Sequence, residues 1–247
     1  MLRLEAVGVT VRFGGTIALD DVGVTVEPGV VTGLIGPNGA GKTTLFNVIS
    51  GLQQPSSGRV FLDGRDITGL APNRRAQLGV ARTFQRLELF ISMSVQDNIR
   101  VAGDIRNSWG RSRRIRVQDE AERVIELTGL GDVAERDVAD IPTGRARVVE
   151  LARALMTGPA VLLLDEPASG QTEQETHAFG TLLRRLATQD GLAVCLVEHD
   201  VSLVMGVCDT IHVLDYGRTI AVGPPEQVRK DPQVIAAYLG APSEGVA

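Results

Sequence analysis

Gly36-Pro37-Asn38-Gly39-Ala40-Gly41-Lys42-Thr43 is the stretch on which the fold turns. It fits the pattern G-x-x-x-x-G-K-[ST], follows the strand-like run Val30 to Ile35, and precedes the helical-looking Thr44-Leu45-Phe46-Asn47-Val48-Ile49. A strand, a glycine-rich turn and a helix in that order form the context in which this motif cradles phosphate. Its glycines let backbone N–H groups close around the oxygens, and Lys42 can neutralise β/γ-phosphate charge. The Thr43 hydroxyl stands where it can ligate Mg2+ at the helix N-terminus.

Working outward, Val161-Leu162-Leu163-Leu164-Asp165-Glu166 is an apolar run that ends in two carboxylates. Acid residues at a buried strand end need a reason, and a phosphate loop upstream supplies one. Asp165 is placed to hold the Mg2+ shell and Glu166 to polarise an attacking water. Ala193 to Val197 is a second continuous apolar run, and both runs read as buried parallel strands of the sheet that holds Val31 to Ile35. Val9 to Val11 and Val22 to Val26 read as further strands. Val60-Phe61-Leu62 meets the hairpin signal Asp63-Gly64. From about Val117 the period becomes helical, with Ala121, Val124, Ile125 and Thr128 on one face and Gly129 placed to end the helix. A mostly helical insert is therefore expected over about 87–143, with a C-terminal tail over about 216–247.

The chain has 247 residues, 43% of them hydrophobic, enough for one sizeable core and a single lobed domain. A net charge of −5 gives no basic field, which disfavours nonspecific nucleic-acid binding. Arg111-Ser112-Arg113-Arg114-Ile115-Arg116 is the one basic run and reads as a solvated loop or a docking surface. Cys195 and Cys208 sit in apolar stretches without C-x-x-C spacing and read as buried thiols of a reducing compartment. Met1-Leu2-Arg3-Leu4-Glu5 opens no signal peptide, and no stretch approaches the roughly 20 apolar residues of a membrane span. Any membrane role is expected to come through a partner.

Val80-Ala81-Arg82-Thr83-Phe84-Gln85 lies between the phosphate loop and the insert, and Gly144 precedes Asp165 after it. With these in series the chain resembles, over nearly its whole length, the ATP-binding subunits of ABC transporters. The resemblance implies an α/β P-loop cassette with a parallel sheet core, an N-terminal antiparallel lobe and a helical insert. It implies ATP and Mg2+ as ligands. The residues it assigns to the nucleotide are Gly36, Pro37, Asn38, Gly39, Ala40, Gly41, Lys42, Thr43 and Thr44, with Gly144 in the signature loop and Phe13 stacking on adenine. It makes Thr43, Gln85 and Asp165 the metal ligands, and Gln85, Glu166 and His199 the catalytic group, with His199 contacting the γ-phosphate. Taken alone, Phe13 reads equally well as a core residue, Gln85 as a surface glutamine, and His199 as a histidine satisfied after a strand.

Ala81-Arg82-Thr83-Phe84-Gln85, Leu196-Val197-Glu198-His199-Asp200, Gly223-Pro224-Pro225-Glu226 and Ala237-Tyr238-Leu239-Gly240 look like the subfamily that drives uptake of branched-chain amino acids. The lipopolysaccharide-export subfamily shares much of this tail, and Gly79-Val80-Ala81-Arg82-Thr83 favours the importer. By resemblance the partners are ABC transmembrane subunits, a second ATP-binding subunit and, indirectly, an external solute-binding protein, at the cytoplasmic face of the membrane. No nucleic acid is expected. A tandem cassette or long coiled-coil insertion, expected of ABC ATPases of translation or DNA repair, has no room here.

Two segments depart from the family pattern. Where the signature usually reads Leu-Ser-Gly-Gly-Gln, this chain has Ile141-Pro142-Thr143-Gly144-Arg145, and Pro142 supplies neither hydroxyl nor N–H. Thr143 is expected to cap the following helix, and Arg145 either adds positive charge near the phosphate or is simply solvated. After Glu166 the interface-crossing loop reads Ser169-Gly170-Gln171-Thr172, without the usual aspartate or asparagine. Because both segments serve the opposite subunit's nucleotide, an asymmetric heterodimer is expected. The competing reading is a regulatory or structural ABC subunit that binds ATP and hardly hydrolyses it.

Overall fold

The computed structural model describes residues 2–110 and 114–239. Arg111, Ser112 and Arg113 of the basic run, and Gly240 of the tail phrase, lie outside them. Two sheets organise the chain. The first is antiparallel, in the order β2 (Thr16–Val26), β1 (Leu4–Phe13), β4 (Ser57–Leu62), β5 (Arg65–Asp66). Asp63 and Gly64 both take positive φ in the β4–β5 turn, the conformation of a type I′ hairpin.

The second sheet has the order β10-β9-β3-β8-β7-β6. Its strands are β3 (Val31–Ile35), β6 (Val80–Arg82), β7 (Val161–Asp165), β8 (Ala193–Val197), β9 (Thr210–Asp215) and β10 (Arg218–Gly223), parallel except for the antiparallel edge β10. Every residue of β3, β7 and β8 is buried. That is why these strands read as unbroken apolar runs, for both faces are covered. On one face Val161, Leu163, Ala193, Cys195 and Val197 pack with the antiparallel sheet and with α1 (Lys42–Ser50). On the other, Leu162, Leu164, Val194 and Leu196 pack with the helical layer. Both cysteines are free and buried, and burial pushes the Cys208 thiol up to about 12.

The helical layer includes α3 (Val95–Ser108), α4 (Val117–Thr128), α5 (Thr143–Met156), α6 (Glu173–Thr188) and α7 (Val201–Val207). Ala121, Val124, Ile125 and Thr128 form the buried face of α4, and Gly129 closes it in the left-handed conformation. Helix does not begin at residue 87. Asn98 is fully buried, and its amide accepts from Phe90 N and donates to the carbonyls of Phe90 and Ser94. This holds the chain before Ser94 as a loop, and the Ser94 hydroxyl then caps α3 by accepting from Asp97 N. Between the sheets, α2 (Pro72–Gln77) carries Arg75, which is 1% exposed and donates to the carbonyls of Val48, Ile49, Thr68 and Leu70. It thereby satisfies the orphan carbonyls at the end of α1.

Candidate functional site

The phosphate loop spans the gap between β3 and α1. Gly36 has φ 151°, and a Cβ there would stand 2.0 Å from the Leu214 carbonyl oxygen, so only glycine fits the turn. Gly41, at φ 104°, precedes Lys42 as the N-cap of α1 and offers no side chain to the first-turn amides, which stay available to an anion. Lys42 is buried, and its Nζ donates to the carbonyls of Gly36 (2.6 Å) and Pro37 (2.9 Å). Burial pulls its pKa below the ordinary lysine value, against the opposing pull of Glu166 and Asp165. Those two carboxylates therefore lie within electrostatic reach of the loop.

Asp165 ends β7 with 2% exposure, and its Oδ2 accepts from Arg82 Nη2 at 2.8 Å. Glu166 follows at φ 50°, a left-handed conformation rare for a residue with a Cβ, and is held there by its N–H donating to Val197 O at 2.9 Å. The twist turns its carboxylate into a cluster. Gln85 Nε2 donates to Glu166 Oε2 at 2.8 Å, and His199 Nε2, as an N–H donor, stands 2.6 Å from Glu166 Oε1. Residues separated by more than thirty positions along the chain thus meet around one carboxylate at the open ends of parallel strands, where α/β sheets place their ligands. Thr43, Asp165 and the carbonyl of Gln85 offer oxygen donors only, the chemistry that suits Mg2+.

Phe13 is 52% exposed at the tip of the β1–β2 hairpin, which excludes the core-packing reading. The second strand of that hairpin passes against Gly41 through Ala18 and Leu19. Gly144 lies in the opening turn of α5, where a Cβ would meet the Glu175 carboxylate at 3.1 Å and Gln171 at 3.2 Å. The structure corrects one expectation for this turn and pairs Arg145 at the surface. Thr143 is the first helical residue, the N-cap is Pro142, and no side chain caps the helix. Arg145 is tied to Gly129 O and to the Asp132 carboxylate, because the end of α4 and the turn after it lie within its reach.

Several supporting residues have a role that the sequence reading did not assign. Glu198, at the end of β8 with 5% exposure, accepts from Ala168 N at 2.8 Å and from His199 N at 3.1 Å. Burial raises its pKa despite those amides. The signal that singled out Asp165 and Glu166, an acid ending a buried apolar run, also applies to Glu198. On α5, Arg147 donates to the carbonyls of Phe84 and Gln85 and pairs with Glu150 at 3.0 Å, while Glu150 accepts from Glu88 N. The loop bearing Gln85 is therefore fastened to the helix that follows the altered signature. Burial also raises the pKa of Glu150.

The geometry agrees with comparison to known proteins. Residues 19–169 match the family model described as ABC transporter, and residues 218–243 match that of the branched-chain amino acid ATP-binding cassette transporter. A high-affinity branched-chain amino acid transport ATP-binding protein, BraF of Pseudomonas aeruginosa, is 40% identical over 96% of this chain and 97% of its own length. LivG of Escherichia coli K12, with the same description, is 38% identical over 96% and 97%. Among solved structures, the ADP conformation of an ATP-binding cassette of an ABC transporter superposes with a TM-score of 0.86 at 30% identity, covering 97% of this chain and 99% of that one. A phosphate loop, two strand-end carboxylates and a convergent glutamine and histidine, in a chain matched along nearly all its length, leave one assignment: this protein belongs to the ABC transporter family as one of its ATPase subunits.

Proposed function

We propose that this subunit drives import of branched-chain amino acids, or of related small polar solutes, by closing on ATP and Mg2+ with a second cassette at the cytoplasmic face of the membrane. The observation that carries the hydrolytic part is the Gln85–Glu166–His199 cluster. The solute class is supported by the descriptions of the relatives and by the C-terminal family match. That match also favours the importer over lipopolysaccharide export.

In this mechanism the N–H groups of residue 36 and residues 38–44 and the Lys42 ammonium bind the β- and γ-phosphates, and Phe13 stacks on adenine. Thr43, Asp165 and Gln85 would hold Mg2+, which when bound neutralises charge on the phosphates. Glu166 accepts a hydrogen bond from the attacking water and draws off its proton. Gln85 and His199 fix the carboxylate, and His199 contacts the γ-phosphate as the transferred charge develops.

A groove of about 310 Å³ opens between the sheet and the helical layer beside Gln85, lined by Ser50, Leu52, Phe84, Ile105, Trp109 and Arg153 among others. We assign it to a helix of a transmembrane subunit. Among the described residues no helix is long and apolar enough to cross a membrane, so transport requires such a partner. An external solute-binding protein would deliver the solute to that partner.

The altered signature favours an asymmetric pair. Pro142 brings no donor, Arg145 is occupied by Asp132, and the Glu175 carboxylate borders Gly144 where a phosphate would need positive charge. A second cassette with an ordinary signature would complete the site built by Lys42, Asp165, Glu166 and His199 of this chain. Steady-state ATP turnover of the purified chain, with and without such a cassette, tests this. Turnover is expected to rise with the partner and to fall about 10²–10⁴-fold in Glu166→Gln. A homodimer as fast as the mixture would overturn the asymmetry, and leucine uptake unchanged by Lys42→Ala would overturn the solute.

A further inference from the structure

Beside the docking groove lies a buried guanidinium that no step above uses. Arg82, the last residue of β6, has a side chain 6% exposed, and Asp165 facing it is 3% exposed. Arg82 Nη2 donates to Asp165 Oδ2 at 2.8 Å, and Nη1 donates to Asn47 Oδ1 at 2.7 Å and to Ser50 Oγ at 3.0 Å. Its carbon lies 5.5 Å from the centre of the Phe46 ring and 5.0 Å from that of Phe84. One side chain therefore joins α1, the helix that grows out of the phosphate loop, to the strand end that carries Asp165. Among the described residues no hydrogen bond ends on the other carboxylate oxygen, Oδ1.

We propose that Arg82 is the positioning residue of the cation site. By holding Oδ2 it fixes the carboxylate so that Oδ1 faces the nucleotide-bound cation, and by gripping Asn47 and Ser50 it keeps that carboxylate in register with the phosphate loop. The forked, planar guanidinium suits this, since one arm reaches each element, whereas a lysine ammonium reaches one at a time. Without a partner the buried carboxylate would be a charge held out of water at a cost, and it would reorient or swell the site to escape. Phe84 both stacks on Arg82 and lines the groove. A helix pressed against Phe84 therefore reaches Asp165 through a single side chain, which gives the membrane partner a short route to the metal ligand.

This inference rests on the proposed Mg2+–ATP chemistry and is tested on the full chain carrying Glu166→Gln, so that bound ATP persists. Mn2+ binding to the ATP-loaded protein is followed by electron paramagnetic resonance, and binding of a fluorescent ATP analogue is measured separately in EDTA. Adding Arg82→Met is expected to weaken Mn2+ binding about 10-fold, in the range found when residues supporting metal ligands are removed, with analogue affinity in EDTA changed less than about twofold. Arg82→Lys is expected to weaken Mn2+ binding by a smaller factor in the same direction, and decides the matter alone should Arg82→Met fail to fold. Unchanged or tighter Mn2+ binding in the folded variants overturns the proposal, as does an equal loss of analogue binding in EDTA, which would make Arg82 a support of the loop. A parent protein binding neither analogue nor Mn2+ would overturn the underlying ATPase reading as well.

Discussion

Replacing Glu198 separates the worth of its hydrogen bonds from the cost of its charge. The carboxylate is buried and accepts from the amides of Ala168 and His199, at 2.8 and 3.1 Å. Glu198→Ala leaves two partly buried N–H groups without their partner, at most about 1–3 kcal/mol each and less where water reaches them, so roughly 1–4 kcal/mol together. For a chain of this size that lowers Tm by roughly 2–15 °C. Glu198→Gln keeps one acceptor, sets its NH2 against the other N–H, and removes a charge that burial disfavours, so its loss should be smaller. The two variants also differ in pH dependence. Because burial raises the folded pKa of Glu198 above its ordinary value of 4.5, its contribution to stability is full below about pH 4.5 and is lost as pH rises through the folded value. The advantage of wild type over Glu198→Gln should therefore shrink from pH 4.5 towards neutrality. Thermal unfolding across that range reads both quantities. Equal destabilisation by Gln and Ala, or an advantage that grows with pH, would refute the reasoning.

Two further substitutions test the nucleotide site. Gly36→Ala drives a Cβ to 2.0 Å from the Leu214 carbonyl, so the loop must deform, and ATP binding measured by fluorescence titration should fall at least about 10-fold. Normal affinity would show that the turn has another conformation in solution. Phe13→Ala should weaken ATP binding about 2–12-fold, the equivalent of 0.5–1.5 kcal/mol of stacking, with kcat unchanged. A fall in kcat with affinity intact would remove Phe13 from the adenine site.

What was legible in the sequence was local. The phosphate loop announces itself because its glycines, lysine and threonine fall within eight consecutive residues, and β7 and β8 announce themselves because burial on both faces makes residues 161–164 and 193–197 unbroken apolar runs. The site's companions are separated in sequence, and Gln85 and His199 were found by resemblance, not by any periodicity. Arg82 and Glu198 stand inside family-like motifs, yet their roles depend on what faces them in the fold. Asp165, Asn47 and Ser50 are brought to Arg82 by topology alone. Within the mostly helical stretch expected over about 87–143, the loop before α3 has no sequence signal, because a buried asparagine bonding to a carbonyl eight residues back leaves no periodic trace. The cap at Thr143 and the partner of Arg145 were hidden for a similar reason. The helix starts one residue earlier than capping by Thr143 requires, and Asp132, thirteen positions away, competes for the arginine.

The parallel sheet divides the hydrophobic interior into two clusters, with α1 and the antiparallel lobe on one side and α3, α4 and α5 on the other. Substitutions that reshape the outer helices strain one cluster first, and what reaches the phosphate loop passes through the strands, since Val31 and Ile35 of β3 belong to that cluster. The partition therefore channels mechanical influence: a change in the outer layer reaches the catalytic groups where the layers are tied together, at the Gln85 loop held by Arg147 and at Arg82 between α1 and Asp165.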